Sequence, residues 1–213
     1  MCISKHILAL LVCAASASTS VTAQELQVYS ISKSYQQLSK EKLGRDAKRR
    51  VVEFKKKATY YGAVAVHIAE DTGGSTWARH SLASATNQAL KSRKAKATDP
   101  AGCIVYAVSL PRGYNQVPGV VGLNQDATKT YTKGDMAKWL KKNPYGAIAV
   151  NGQWSWGWGT SDTSLEDAKA DALKWCRKAS AEAKDGVNNF WVTKVATARE
   201  WKCSIWLVVD QSK

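Results

Sequence analysis

The chain has 213 residues, of which 45% are hydrophobic and 23% are charged, a balance that is ordinary for a globular protein and unlike that of a disordered chain. Its formal net charge of +14 favours acidic partners through long-range attraction and carries no information about the fold. Outside the first residues, no segment approaches the length of a transmembrane helix, which argues against a membrane-spanning protein.

The first 23 residues have the pattern of a secretory signal peptide. Lys5 precedes an apolar run at residues 7–15, and the small residues at 21–23 fit a cleavage site. Lipoprotein processing at Cys13 is the alternative. We therefore expect an exported protein, periplasmic or extracellular, whose mature chain keeps a net charge of +13 because the leader carries a single lysine.

Residues 24–60 form a basic N-terminal extension. Apolar residues recur at helical spacing from about Ser34 to Ala58, which predicts a basic amphipathic helix. Two interpretations stay open: the helix contacts a membrane surface, nucleic acid or an acidic protein, or it is a solvated helix that lays one apolar stripe on the domain. The candidate binding residues are its cations, Lys48, Arg49, Arg50, Lys55, Lys56 and Lys57.

Residues 61–110 and 144–213 share one outline, with a linker at residues 111–143 that includes a short helix. The segment YGAVAV at Tyr61 matches YGAIAV at Tyr145, and each segment is followed by a hairpin, a helix and a strand that opens with cysteine. Two such units bury too little apolar surface alone and should pack together. The sequence therefore predicts an α+β fold, with two β-β-α-β repeats packed into one globular body and preceded by the basic helix.

The cysteines differ between the two predicted repeats. Three remain after the leader, and an oxidising compartment makes them disulfide candidates. Arg93 stands where the second repeat has Cys176, so Cys103 lacks the partner that Cys203 has. We predict a Cys176–Cys203 disulfide that contributes about 3–4 kcal/mol, and no bond from Cys103 to either residue.

The pair Asn151-Gly152 predicts a two-residue hairpin turn, which would pair Val150 with Gln153. Alternation along the strands then places three tryptophans on the face of Tyr145 and Ala147. Either this face is buried by the other repeat, or it is an exposed platform that stacks on sugar rings or anchors a protein partner. The candidate binding residues of this face are Tyr145, Trp154, Trp156 and Trp158.

The helix after this hairpin is predicted from its start signal and its spacing. Thr163 and Glu166 fit a capping box, in which each side chain bonds a backbone N–H group of the other residue. Ala168, Ala172 and Cys176 follow at helical spacing and form a narrow stripe of small residues. Such a stripe allows the helix to approach a sheet closely.

The segment from Tyr145 to about Val209 resembles domain-of-unknown-function family 4189. The features that carry the resemblance are the strand GAIAV, the WGWG motif, the spacing of Ala168, Ala172 and Cys176, and the strand that opens with cysteine. The resemblance implies a small exported bacterial α/β unit that contains a disulfide. It supplies no catalytic residue.

Other residue patterns give little support for catalysis. Asp71-Thr72-Gly73 is similar to an aspartic protease motif, but that chemistry needs two carboxylates that share a proton, and the chain has no second copy. His67 and His80 match no metal-ligand spacing. We assign no catalytic residue and expect no metal and no cofactor.

Three functional hypotheses follow from the sequence. The first is an exported non-enzymatic binding protein, in concrete form an inhibitor or immunity-type protein for an acidic partner. The second is an envelope or polyanion-binding module that acts through the basic helix. The third is a secreted hydrolase or toxin whose site matches no motif. The oligomeric state stays open.

Overall fold

The computed structural model describes residues 29–115, 122–186 and 196–212. The predicted leader lies outside this range, as do residues 116–121 and 187–195. The strands are β1 (Lys33–Gln37), β2 (Gly62–His67), β3 (Thr72–Thr76), β4 (Cys103–Pro111), β5 (Tyr145–Val150), β6 (Trp156–Ser161) and β7 (Ser204–Asp210). The helices are α1 (Arg45–Lys57), α2 (Leu82–Lys94), α3 (Gln125–Thr132), α4 (Asp135–Trp139) and α5 (Leu165–Gly186).

The strands form two antiparallel sheets, so the predicted α+β class is confirmed. The first sheet has the order β1-β4-β2-β3, and the second has the order β6-β5-β7. In both sheets the central hairpin strand pairs with its hairpin partner on one side and with the strand after the helix on the other. The register with that later strand shifts between Val64 and Ala65 in the first sheet and between Ile148 and Ala149 in the second.

The first sheet is covered by a helix on each face. Every residue of β2 is buried. Val64 and Val66 pack in one cluster with Phe54 of α1, whereas Ala63 and Ala65 pack in another with the small residues of α2. Because successive side chains of a strand point to opposite faces, the short GAVAV run serves both helices at once.

The second sheet is covered in a similar way, but less completely on one side. Ala147 and Ala149 face α5 in a cluster that contains the disulfide. Ile148 and Val150 face α3 and α4, with Met136 buried between them. Helix α4 has five residues, against thirteen in α1.

The N-terminal extension differs from its prediction. A helix was expected from about Ser34, but residues 33–37 form β1, which pairs with β4, and α1 begins at Arg45. The cause is a long-range cap: the carboxylate of Asp71 accepts hydrogen bonds from the backbone N–H groups of Asp46 at 3.1 Å and Ala47 at 3.0 Å. A side chain at Gly44 would collide with this carboxylate, since an added Cβ would lie 2.3 Å from its Cγ.

The segment predicted as a linker contains a second helix. In α3 the Asn124 side chain accepts a hydrogen bond from the Ala127 N–H at 2.9 Å, which satisfies the first turn. Asn124 also contacts the first sheet region, because its backbone N–H lies 3.3 Å from Nδ1 of His80. The described part of the linker, from residue 122 onwards, is therefore part of the packed body.

Hydrogen bonds join the elements of the two sheets directly. The Ser84 hydroxyl at the start of α2 donates to the Gly152 carbonyl at 2.9 Å, and the Gln88 amide donates to a Glu200 carboxylate oxygen at 2.6 Å. Nε2 of His80 lies 3.3 Å from the Ser155 carbonyl oxygen. Within the described ranges, no helix is both long and apolar enough to cross a membrane.

Candidate functional site

An open cleft of about 750 Å³ runs along β6, one of the two edge strands of the second sheet as described. We call it the tryptophan cleft, because four indoles from three elements line it: Trp139 of α4, Trp156 and Trp158 of β6, and Trp175 of α5. Its polar lining consists of Thr160, Asp171, Lys178 and Glu182.

The loop before β6 sets the position of the tryptophans. Val150 pairs with Trp156, so the loop has five residues, and the predicted two-residue turn and its pairing are wrong. Oδ1 of the buried Asn151 accepts hydrogen bonds from the N–H groups of Gln153 at 2.9 Å and Ser155 at 3.0 Å. The Asn151 side chain thus satisfies two backbone N–H groups of the loop, and a tight turn at Asn151-Gly152 would not allow these bonds.

The longer loop moves the tryptophans to the face opposite the predicted one. The register is shifted by three residues, and an odd shift exchanges the two faces of a strand. Trp158 therefore lies beside Ile148, and Trp156 lies beside Val150, where both indoles are partly buried. Gly157 takes the position on the α5 face that the sequence assigned to a tryptophan.

Glycines on the α5 face bring the helix unusually close to β6. A Cβ added to Gly157 would lie 2.3 Å from the backbone nitrogen of Cys176 and 2.6 Å from the carbonyl oxygen of Ala172. A Cβ added to Gly159 would lie 2.4 Å from the carbonyl oxygen of Ala168. The floor of the cleft is therefore a strand backbone pressed against a helix backbone.

Helix α5 forms one wall of the cleft. Asp171, Trp175, Lys178 and Glu182 are spaced at i, i+4, i+7 and i+11, which places them on one helical face. Trp175 is 49% exposed, and the Lys178 ammonium lies 5.3 Å from the centre of its ring. The helix begins one residue later than predicted, because Ser164 rather than Thr163 caps it: the Ser164 hydroxyl accepts from the Asp167 N–H at 3.1 Å.

Helix α4 forms the other wall. Trp139, at its last position, is 53% exposed. On the corresponding face of the first sheet, the longer α1 extends over β3, where the Cβ of Arg50 would lie 3.2 Å from a Cβ added at Gly73. The cleft is open because α4 ends after five residues and leaves the indoles of β6 partly uncovered.

Two of the four binding residues predicted on the tryptophan face, Trp154 and Tyr145, lie outside the cleft lining. Trp154 belongs to the loop, where the Arg79 guanidinium lies 4.7 Å from its ring centre and Trp201 packs edge-on at 5.4 Å. Burial lowers the pKa of Arg79 to about 9. Tyr145 starts β5 opposite Ser161, at the far end from the hairpin loop.

The predicted cationic residues of α1 are all exposed and lie on the first sheet. Some of them are paired within the helix: Arg49 with Asp46 at 3.4 Å, and both Arg50 and Lys57 with Glu53, at 3.3 and 2.8 Å. Hydrogen bonding to Lys57 lowers the pKa of Glu53. The helix still carries more cations than carboxylates, so it presents a basic face to solvent.

The remaining chemically versatile groups have structural partners. Nε2 of His67 lies 2.8 Å from the Asp99 carbonyl oxygen, and its Nδ1 lies 3.2 Å from the Glu70 N–H nitrogen. Asp71 caps α1, and the backbone N–H groups of Ala47 and Asp46 that it accepts from lower its pKa. Among the described residues, no three His, Cys, Asp or Glu side chains come together in a group that could hold a metal ion.

The disulfide prediction is confirmed. Cys176 and Cys203 are bonded, tying α5 to the segment before β7, whereas Cys103 is a buried free thiol whose pKa is raised by burial. In the first sheet, Arg93 pairs with Glu70, and the Arg93 charge partly offsets the effect of burial on the pKa of Cys103.

The sequence missed most of this site. Trp175 and its charged neighbours could have been found from their common spacing on α5, on the face that flanks the small-residue stripe. Trp139 was recognised only as part of a short helix. No protein-family model, curated protein or solved structure matches the chain.

Proposed function

We propose that the protein is an exported, non-enzymatic binding protein and that the tryptophan cleft is its contact surface. The observation that carries the proposal is the exposure of Trp139 and Trp175, at 53% and 49%, on opposite walls of one cleft. Tryptophan is strongly enriched among residues that dominate binding energy. Exposed apolar patches gathered in one place mark interaction sites, whereas single exposed apolar residues are ordinary.

The cleft is suited to binding because its frame is rigid before a ligand arrives. Gly157 seats α5 directly on β6, and the Cys176–Cys203 bond fixes the same helix to the segment before β7. A preorganised site spends less conformational entropy when it binds. The disulfide also supports export, since such bonds persist in oxidising compartments.

Capture from an envelope extract tests this function. Trp139→Ala and Trp175→Ala each remove one wall of the cleft, and Leu38→Ala is the control, since Leu38 is 52% exposed and lies next to β1 on the first sheet. Tagged wild type and Leu38→Ala should retain the same molecule, and both tryptophan variants should lose it. All variants should keep their melting temperature within a few degrees, because the changed side chains are half exposed. Equal capture by the tryptophan variants would contradict the proposal.

A second candidate function is supported by the basic face of α1, which would bind an acidic protein or another polyanion. If the partner is an acidic protein, the function would be that of an inhibitor or immunity-type protein. Lys48 and Lys56 are exposed, and their replacement by Gln should lower the salt concentration that elutes the protein from a heparin column. Lys94→Gln with Lys133→Gln removes the same charge elsewhere and should have a smaller effect. Equal shifts would assign retention to net charge alone.

We also propose that the two sheets derive from copies of one β-β-α-β unit. Three features support this: the common strand order, the register shift at the same place in β2 and β5, and the cysteine that precedes or opens each last strand. The resemblance of residues 145–209 to family 4189 is part of the same proposal. It identifies the second copy with the small exported unit that this family represents.

A further inference from the structure

We propose that the ligand of the tryptophan cleft is a neutral glycan chain. The inference rests on the proposed function, because it assumes that the cleft binds a ligand, and it adds the chemical class of that ligand. The arrangement of indoles and charged groups along β6 carries it.

The indoles supply the first part of the argument. Sugar rings have apolar C–H groups on their faces and hydroxyl groups around their rims. The faces of aromatic rings carry negative charge density, so they attract C–H groups that stack on them. Trp139 and Trp175 offer exposed rings from the two walls, and Trp156 and Trp158 lie between them on the strand. A chain of sugar rings can therefore contact several indoles at once.

The charged groups of the cleft argue against a polyanionic, a cationic or a purely apolar ligand. Asp171 and Glu182 repel a polyanion, although the protein as a whole is basic. Lys178 lies over the Trp175 ring and occupies the place where a cationic ligand would stack. A purely apolar ligand would bury these polar groups without partners, at a cost in free energy. Hydroxyl groups donate to carboxylates and accept from an ammonium group, so a neutral sugar satisfies all three side chains.

The edge strand supplies the second part. Within the described residues, β6 pairs only with β5, and its sequence from Trp156 to Ser161 has no charged residue and no proline. Edge strands are usually blunted by such residues, because unpaired N–H and C=O groups recruit other chains. Gly157 and Gly159 are buried against α5, and the five β6 residues that line the cleft, Trp156 to Thr160, extend for about 13 Å. The cleft is thus an elongated slot lined with hydrogen-bonding groups, which suits a linear chain of hydroxylated rings.

Titration with neutral hexasaccharides tests the inference. The probes are chitohexaose, cellohexaose and maltohexaose, followed by tryptophan fluorescence and calorimetry on the full chain. At least one probe should bind saturably, with little dependence on salt. Trp139→Ala and Trp175→Ala should weaken that binding roughly tenfold or more, whereas Leu38→Ala should leave it unchanged.

A conservative pair of variants tests the polar contacts separately. Asp171→Asn and Glu182→Gln keep the shape of each side chain and remove its charge. They should weaken glycan binding without lowering the melting temperature, because both residues are exposed. Unchanged affinity in both variants, or the absence of saturable binding for every neutral probe, would overturn the inference.

The outcomes separate this inference from the proposed function. If no glycan binds but an envelope protein is captured in a tryptophan-dependent way, the ligand is a polypeptide at the β6 edge, and only the glycan assignment fails. If neither is bound, both fail. If mass spectrometry shows that a bound hexasaccharide is cleaved, the glycan assignment stands and the non-enzymatic assignment fails.

Discussion

Replacing Gly157 by alanine should destabilise the protein by forcing α5 away from β6. The added Cβ would lie 2.3 Å from the Cys176 nitrogen, 2.6 Å from the Ala172 oxygen and 2.8 Å from the Trp175 carbonyl carbon. All three are backbone atoms, so no side-chain rotation relieves the clash. Overpacking costs about 1–3 kcal/mol, and the upper end applies here because the helix itself must move.

Part of this cost is offset, because alanine orders a strand at a lower entropic cost than glycine, by about 0.5–1 kcal/mol. The net loss should be about 2 kcal/mol, which corresponds to a fall in melting temperature of about 4–8 °C for a chain of this size. Thermal unfolding followed by circular dichroism measures it. Gly186→Ala is the matched control, since a Cβ there meets nothing within 4 Å. If Gly157→Ala had the same melting temperature as Gly186→Ala, the close packing of α5 on β6 would be refuted.

Two further changes report on pH-dependent stability. Asp71→Asn should lower the urea midpoint of unfolding at neutral pH, and the difference from wild type should vanish in acid. The N–H groups of α1 lower the pKa of Asp71 in the folded protein. Its contribution to stability is therefore present above about pH 4 and is lost as the pH falls through the lower folded-state pKa. His80→Gln should reduce the loss of stability between about pH 6.5 and pH 4. Burial, together with the Arg79 charge, lowers the pKa of His80 to about 4 in the folded protein, whereas the unfolded state takes up a proton near the ordinary histidine pKa of about 6.5. Urea titrations across pH measure both, and parallel curves for variant and wild type would contradict each explanation.

Features that depend on neighbouring residues were predictable from the sequence. The small-residue spacing of Ala168, Ala172 and Cys176 correctly placed the buried stripe of α5. The disulfide joins residues 27 apart in the chain, and it was predictable for another reason, a comparison of the two halves of the chain. The position of the hairpin at Asn151 was also correct, because asparagine favours turns whatever their length.

Apart from the disulfide, features that depend on distant residues were not predictable. The start of α1 is set by Asp71, which is 25 residues away from the N–H group it caps at Asp46. The loop length at Asn151 is set partly by Gln153, which is fully buried and accepts a hydrogen bond from Arg79 at 3.1 Å. That loop decides which face the indoles occupy, so an error of three residues in one turn displaced the whole candidate site.

The difference between the two sheets leads to a last prediction. Arg93 occupies the place in α2 that Cys176 occupies in α5, and its charge acts against the rise that burial causes in the pKa of the Cys103 thiol. If the two units are copies, Arg93→Cys should form a disulfide with Cys103 that parallels the Cys176–Cys203 bond. Peptide mapping under non-reducing conditions should find this crosslink, whereas the control Lys94→Cys, on the exposed side of the same helix, should keep Cys103 as a free thiol. An Arg93→Cys protein that retains its original disulfide but forms no second one would show that α2 and β4 do not hold the geometry of α5 and β7. The proposal of shared origin would then rest on strand order and register alone.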